Sequence, residues 1–301
     1  MHNYTKGCDY GYVSINEYLK YQQIDDKYLK MYPWMQSVIV FLFPFSNKQV
    51  QRRRYLSARF AFGRDYHQVV KEKLEDIAKK LNLKNYVTLV DNSFFDEKLL
   101  AYLAGLGNYG KNNLIISPKY GTNFAIGEII TDLGLSYEKV VFSSPCADCT
   151  ICLHACPTKA ITSEGYNREK CISFLNQYVS SEYHLYDKIF TQVVGCDICQ
   201  DVCPLNKKDY EYDKRFDLDE KAIINLEIIE KLDKNSYKEF YKDKAFNWIG
   251  YLKMLRNVLT LEVNNKNISI EKINYYQKKY QDVKWFYNHL EYLKGKIYGN
   301  N

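Results

Sequence analysis

Apolar positions follow several rhythms along this chain. Residues 37–43, S-V-I-V-F-L-F, form an unbroken apolar run stopped by Pro44, the mark of a strand buried on both faces. From Tyr66 onward, Val70, Leu74, Ile77, Ala78 and Leu81 recur at helical spacing with charges between them, and Asn82 ends the run. Residues 85–90 predict a second strand, 96–106 a second helix and 122–132 a further strand. Between the last two, G-L-G-N-Y-G-K-N-N-L-I-I-S carries Gly105, Gly107 and Gly110 ahead of another strand, so its backbone must bend sharply or approach something closely. Residues 1–36 have weak periodicity and predict one or two short helices before the first strand. After a charged stretch, 207–221, helical patterns return at 226–232, 237–241, 248–263 and 268–297, with no proline after Pro204. Strands alternating with helices predict an α/β core, and the end of the chain a helical C-terminal tail.

Composition narrows the class. A chain of 301 residues can bury one large or two modest cores. The run Val38–Phe43 is far too short to cross a bilayer, and the polar stretch Met1–Gly11 lacks the apolar core of a signal peptide, so a soluble, cytoplasmic protein is expected. The formal charge of +6 is uneven: Lys48, Arg52, Arg53, Arg54, Arg59 and Arg64 fall in one stretch without an acid. Tyr55, Phe60 and Phe62 lie among them. Such a stretch suits a nucleic-acid backbone with bases to stack on, or equally a solvated basic face.

The chemistry is concentrated in the cysteines. Cys146, Cys149, Cys152 and Cys156 stand at the C-x2-C-x2-C-x3-C-P spacing of bacterial [4Fe–4S] ferredoxins, and Cys196, Cys199 and Cys203 repeat the tail of that pattern, with Cys171 between the runs. Three cysteines two residues apart can wrap one cluster, while a fourth, one helical turn on and about 6 Å away, points toward a neighbouring one. The ligands therefore interleave: Cys146, Cys149, Cys152 and Cys203 on cluster one, Cys156, Cys171, Cys196 and Cys199 on cluster two, close enough to exchange electrons. Zinc sites pair two C-x2-C runs across a spacer, and disulfides need an oxidising compartment, so neither suits this pattern as well. Cys8 is left as a plain thiol. A ferredoxin-like module with two [4Fe–4S] clusters is expected to join the α/β core, dividing the chain into 1–140, 141–210 and 211–301.

Several segments together resemble the epoxyqueuosine reductase family, over roughly residues 35–260: F-G-R-D-Y-H (Phe62–His67), V-D-N-S (Val90–Ser93), G-L-G-N-Y-G-K-N-N-L (Gly105–Leu114), the cysteine runs with C-P-T-K-A-I and K-C-I-S-F-L-N-Q, and L-R-N-V (Leu255–Val258). The resemblance implies reduction of epoxyqueuosine to queuosine in tRNA. Base-off cobalamin would lie between the α/β core and the cluster module, fed with electrons by the clusters, and a proton would come from Asp91. An aspartate after a strand is otherwise commonly a turn or cap residue, and protonation near neutral pH would require desolvation beside the corrin to raise its pKa. Cobalamin contacts are implied for Arg59, Asp91, Lys111, Asn112, Ile115, Ile126 and Gln177. The 105–111 loop would meet corrin amides or a substrate phosphate, or else is a helix-to-strand turn with cap glycines.

The D-x-H-x-x-G signature of proteins that ligate cobalamin through histidine is missing, because Gln68, Val69 and Val70 follow His67. The implied partners are the tRNA anticodon stem-loop and an electron donor such as ferredoxin or flavodoxin, with a monomeric chain and no membrane. Departures from the family pattern are N-S-F-F from Asn92, the pair Asn108-Tyr109 and shortened ends. Two other readings stand beside this one: a cobalamin and iron–sulfur reductase of a small molecule, as in the distantly similar reductive dehalogenases, and a two-cluster electron-transfer protein.

Overall fold

The computed structural model describes residues 7–48, 50–51, 53–135, 143–206 and 209–299. Arg52, Lys207 and residues 1–6 of the expected N-terminal helical segment lie outside the described residues. The chain divides into two compact units that interleave along the sequence. The first holds the chain up to Lys48, then Arg64–Cys152 and Gln200–Asp217; the second holds the stretch up to Gly63, then Leu153–Cys199 and the chain from Leu218. This grouping is by packing, whereas the three consecutive segments expected above group residues by chemistry.

The first unit is built on a four-stranded, wholly antiparallel sheet. Its strands are β1 (Asp9–Ser14), β2 (Ser37–Pro44), β3 (Tyr86–Leu89) and β6 (Phe124–Thr131), in the order β1-β2-β6-β3. Helices α1 (Ile15–Tyr18) and α2 (Asp26–Met31) follow β1, α3 (Tyr66–Lys80) precedes β3, α4 (Glu97–Leu103) follows it, and the two-residue strands β4 (Asn108–Tyr109) and β5 (Ile115–Ile116) pair with each other. Every residue of β2 is buried, as its unbroken apolar run predicts. One face of the sheet meets α3 through Gly127, where an added Cβ would come within 2.7 Å of Val70 and 3.0 Å of Leu74. The other face supplies Val38, Val40, Ile126 and Ile130 to a core shared with Leu100 and Leu103 of α4.

The expectation that helices come first in residues 1–36 is corrected: β1 precedes them and pairs with β2. Its sequence, D-Y-G-Y-V-S, buries only Val13, so an edge strand with half-exposed tyrosines leaves little hydrophobic signal.

The second unit is mainly helical. After α5 (Ile151–Ala155) come the hairpin β7 (Ile161–Thr162) and β8 (Gly165–Tyr166), then α6 (Ile172–Gln177), α7 (Tyr183–Tyr186) and α8 (Ile198–Asp201). The tail contributes α9 (Leu226–Glu230), α10 (Lys234–Phe240), α11 (Tyr251–Asn264), α12 (Ile270–Lys279) and α13 (Lys284–Tyr298). Buried Met254, Leu255, Val258, Leu259 and Leu261 of α11 pack with Leu175, Val193, Val194, Phe286 and Leu290, so the tail and the cysteine-bearing segments share one core. No described helix is long and apolar enough to cross a membrane.

Candidate functional site

The eight cysteines divide four and four between the two compact units. Cys146, Cys149, Cys152 and Cys203 fall in the first unit and Cys156, Cys171, Cys196 and Cys199 in the second, α5 carrying the chain from one set to the other. Burial, then the neighbouring Cys146, Cys149 and Cys203, raises the Cys152 thiol; Cys203 likewise senses Cys146 and Cys149. In the second unit Cys196 is pushed well up by burial, with Cys171 and Cys199 as neighbours. All nine cysteines are free thiols. Among the described residues no group of His, Cys, Asp and Glu converges tightly enough to hold a single metal ion.

The donor set fits iron–sulfur clusters in its chemistry: each unit holds four cysteines, and backbone amides point at sulfur. The Lys111 amide donates to Cys146 Sγ at 3.4 Å and the Ala160 amide to Cys156 Sγ at 3.3 Å. Such donors favour the added negative charge of a reduced cluster. Burial raises the pKa of Cys8, which belongs to neither set, to about 11, in keeping with a plain thiol.

Asp91 sits in the tight turn after β3 with a left-handed backbone, φ 61°. Its side chain is 51% exposed, and its Oδ2 lies 3.1 Å from Nε2 of His67, whose Nδ1 lies 2.7 Å from Asp65 Oδ1. Asp65 is also the N-cap of α3, accepting from the His67 amide, so the start of that helix fixes the ring. Burial alone would push the imidazole down, but the two carboxylates raise its pKa to about 9. In return the hydrogen bond from His67 holds the Asp91 carboxyl below its ordinary range against the opposing effect of burial, with the Tyr66 hydroxyl helping. At neutral pH the pair is therefore imidazolium and carboxylate. The proton expected on Asp91 rests on His67.

Two further acids lie near. Burial and the Asp91 charge raise the pKa of Glu97, in the first turn of α4, to about 7. Glu128, in the middle of β6 and 1% exposed, accepts from Ser93 Oγ at 2.6 Å; burial lifts its pKa to about 8, and its other oxygen has no partner. Sequence reasoning missed Glu128, although a lone carboxylate inside the apolar run I-G-E-I-I was the available signal.

The other expected contacts fall as follows. The Lys111 ammonium donates to the carbonyls of Ala147 and Cys149, at 2.8 and 3.0 Å, and so grips the loop of the first cysteine set. Gly105 ends α4 with φ 72°, and Cβ atoms on Gly107 and Gly110 would strike Ile116, so these glycines serve the turn and the β4–β5 hairpin. Asn112 is buried and bonds the Leu114 amide, while Ile115 and Ile126 belong to the sheet core. Arg59 and Gln177 lie in the second unit; the Arg59 amide donates to Asp197, and Gln177 bonds Ser173.

In the basic stretch, Lys48 pairs with Asp217 and Arg64 with Glu72, and Arg53 is exposed. Phe62 is buried, Phe60 packs on the second core, and Tyr55 bonds Glu262, so these aromatics are engaged in packing rather than presented for stacking.

A family model described as epoxyqueuosine reductase QueG, DUF1730, matches residues 27–92, and a 4Fe-4S double cluster binding domain matches 145–206. The epoxyqueuosine reductase of Cyclobacterium marinum is 32% identical over 237 residues, 74% of this chain and 76% of that one. This chain belongs to the epoxyqueuosine reductase family.

The Lactococcus garvieae member is 34% identical over 226 residues, 70% of this chain. The matched region spans only 62%, 56% and 58% of the lengths of the Lactococcus garvieae, Staphylococcus aureus and Bacillus subtilis members. Among solved structures, an epoxyqueuosine reductase with an epoxyqueuosine-modified tRNA-Tyr stem loop is 26% identical with a TM-score of 0.82, covering 96% of this chain and 86% of that one. A Bacillus subtilis reductase with its catalytic aspartate loop swung out of the active site is 25% identical with a TM-score of 0.81, at the same coverage. Within this family match, residues 27–92 contain Asp65, His67 and Asp91, and residues 145–206, matched by the 4Fe-4S double cluster binding domain, contain Cys146, Cys149, Cys152, Cys156, Cys171, Cys196, Cys199 and Cys203.

Proposed function

We propose that this chain reduces epoxyqueuosine in tRNA to queuosine. It would use two [4Fe–4S] clusters, one on Cys146, Cys149, Cys152 and Cys203 and one on Cys156, Cys171, Cys196 and Cys199, in a bacterial ferredoxin-like arrangement. Turning the epoxide into an alkene and water breaks two C–O bonds and consumes two electrons and two protons. The observation that carries this reading is the proton-charged pair of His67 and Asp91: a simple electron carrier has no use for one, and a deoxygenase does.

His67 passes its Nε2 proton across 3.1 Å to Asp91 Oδ2, and Asp91 delivers it to the oxygen released from carbon. Asp65 holds the ring in place and steadies its charge through Nδ1. The second proton comes from water, which reaches the half-exposed Asp91. Base-off cobalamin, when bound, supplies the low-potential cobalt chemistry that opens the epoxide. The Asp91 carboxylate, half-exposed beside the half-buried Tyr66, is accessible to such a group, and the chain brings no D-x-H-x-x-G histidine toward it.

Asp91 is the strongest candidate contact for that cofactor. Lys111 and Asn112, in the same unit, are further ones, while Ile115 and Ile126 would contribute only the edge of a packed core. The tRNA anticodon stem-loop is the substrate carrier and a ferredoxin or flavodoxin the reductant, for a cytoplasmic monomer. Residues 1–140 carry the cofactor and proton chemistry, 141–210 the clusters and 211–301 their helical support.

The test is anaerobic reconstitution with iron, sulfide and cobalamin, metal analysis, then assay on epoxyqueuosine-containing tRNA. About eight irons, one cobalt and queuosine formation support the reading. Clusters without cobalt or turnover would leave an electron carrier.

A further inference from the structure

The L-R-N-V segment of α11 has no place in the proton chemistry, yet it builds the most heavily bonded buried polar group described in the second unit. Arg256 is 1% exposed and its hydrogen bonds include none to a carboxylate. Its guanidinium donates to the carbonyls of Leu175 at 2.6 Å, Asn176 at 3.1 Å and Tyr178 at 2.7 Å, to the Tyr186 hydroxyl at 3.0 Å and to Asn257 Oδ1. Those carbonyls close the C-terminal end of α6, where a cation meets the free acceptors of the last turn. Asn257, held by Arg256, donates through Nδ2 to the carbonyls of Asn176 at 2.8 Å and Val193 at 2.9 Å. Asn176 in turn donates to the carbonyls of Gln192 and Gly195, both at 3.2 Å.

The two backbone segments joined in this way each run directly into a cysteine. Helix α6 starts immediately after Cys171, and the Leu175 amide bonds back to the Cys171 carbonyl. The carbonyls of Gln192, Val193 and Gly195 immediately precede Cys196. The second segment is fixed from another side as well: the Ala58 amide bonds the Val194 carbonyl, and Gly195, at φ 65°, leaves no room for a Cβ beside Phe60 and Ala58. A charge buried without a counter-ion costs stability, and apolar packing would fill the same volume more favourably. Its retention calls for a gain in geometry.

We propose that Arg256 and Asn257 are positioning residues for the second cluster, a buried clamp that sets Cys171 against Cys196 by tying α6 to the 192–195 segment. This rests on the assignment of Cys171 and Cys196 to one cluster, and the experiment separates the two. Arg256→Lys, Asn257→Ser and Cys171→Ala are made in the full chain, reconstituted with iron and sulfide, and compared with wild type. The readouts are iron content, electron paramagnetic resonance of the reduced protein, redox titration and iron release to a chelator.

The clamp predicts that Arg256→Lys and Asn257→Ser shift the potential and signal of one cluster and leave the other unchanged. The altered cluster should release iron about tenfold faster, the scale expected when one or two buried hydrogen bonds are lost. Folded variants with both signals, both potentials and both release rates at wild-type values would overturn it. So would global unfolding of both variants, which would make the network an ordinary core element. Cys171→Ala retaining all its iron would instead overturn the ligand assignment, whatever the two clamp variants do.

Discussion

Replacing His67 with glutamine tests the claim that the proton store is imidazolium. The ring gains its charge from Asp65 and Asp91, which raise its pKa from 6.5 to about 9 against burial. At about 1.4 kcal/mol for each tenfold change in proton affinity, that difference is worth about 3 kcal/mol, and solvent screening reduces it to about 2. Because the folded-state pKa is raised, the stabilisation is fully present below about pH 6.5 and is lost as the pH climbs through about 9. Groups facing the ring are Asp65 and Tyr66 on its own helix, Asp91 after β3 and Glu97 on α4; Glu97, with its pKa at about 7, has finished titrating before most of the histidine stability is lost.

The assay is urea unfolding of wild type and His67→Gln at pH 6.5, 8 and 9.5, read as the difference between the two proteins so that titrations common to both cancel. The difference should shrink by about 2 kcal/mol from the lowest pH to the highest. Turnover of the wild type should fall above pH 9, and that limb should vanish in the variant, whose residual rate is low throughout. A stability difference that is flat across the range would show that the two carboxylates do not hold a proton on His67. The proposed route through Asp91 would fail with it.

Asp91→Asn should keep its iron and lose about 10²- to 10⁴-fold in turnover, the range for removing a general acid, and near-normal turnover would eliminate Asp91 as the donor. Glu128→Gln removes a carboxyl whose raised pKa makes its ionisation, between 4.5 and about 8, a cost to the folded state. Urea titration at pH 8.5 should therefore find the variant as stable as wild type or more so, with the order reversed or levelled at pH 5. Arg53→Glu with Arg54→Glu should weaken binding of the tRNA stem-loop and flatten its dependence on log salt by about 1 to 2, as phosphate contacts are lost; an unchanged slope would move the RNA footprint elsewhere.

What the sequence made legible follows the strength of each local signal. Helix α3 and strands β2 and β6 lie within two residues of their expected limits, because their apolar patterns are dense and end in Pro44, Asn82 or a turn. Strand β1 escaped notice because its stability comes from six residues paired with β2 rather than from its own composition. At the site, the two cysteine runs stood out in the sequence because each is a short-range spacing pattern. Long-range pairings left no such trace. His67 meets Asp91 across 24 positions and Ser93 meets Glu128 across 35. Lys111 likewise reaches the carbonyls of Ala147 and Cys149, 36 to 38 positions away.

The interleaving also makes the clusters cross-links. Cys203 returns to the Cys146–Cys152 run after the chain has passed through the second unit, so the proposed cluster one closes a loop of about 50 residues. In the chain-entropy picture a cross-link over such a loop is worth about 4 kcal/mol, an upper figure because an unfolded chain can keep some of its ligands. Reconstituted Cys203→Ala should therefore unfold at lower denaturant than the wild type. Stripping the iron from both proteins with a chelator should remove most of the gap, because without the cluster the thiol closes nothing. A gap that survives removal of the iron would mean that Cys203 contributes through packing alone and that cluster one takes its fourth ligand elsewhere.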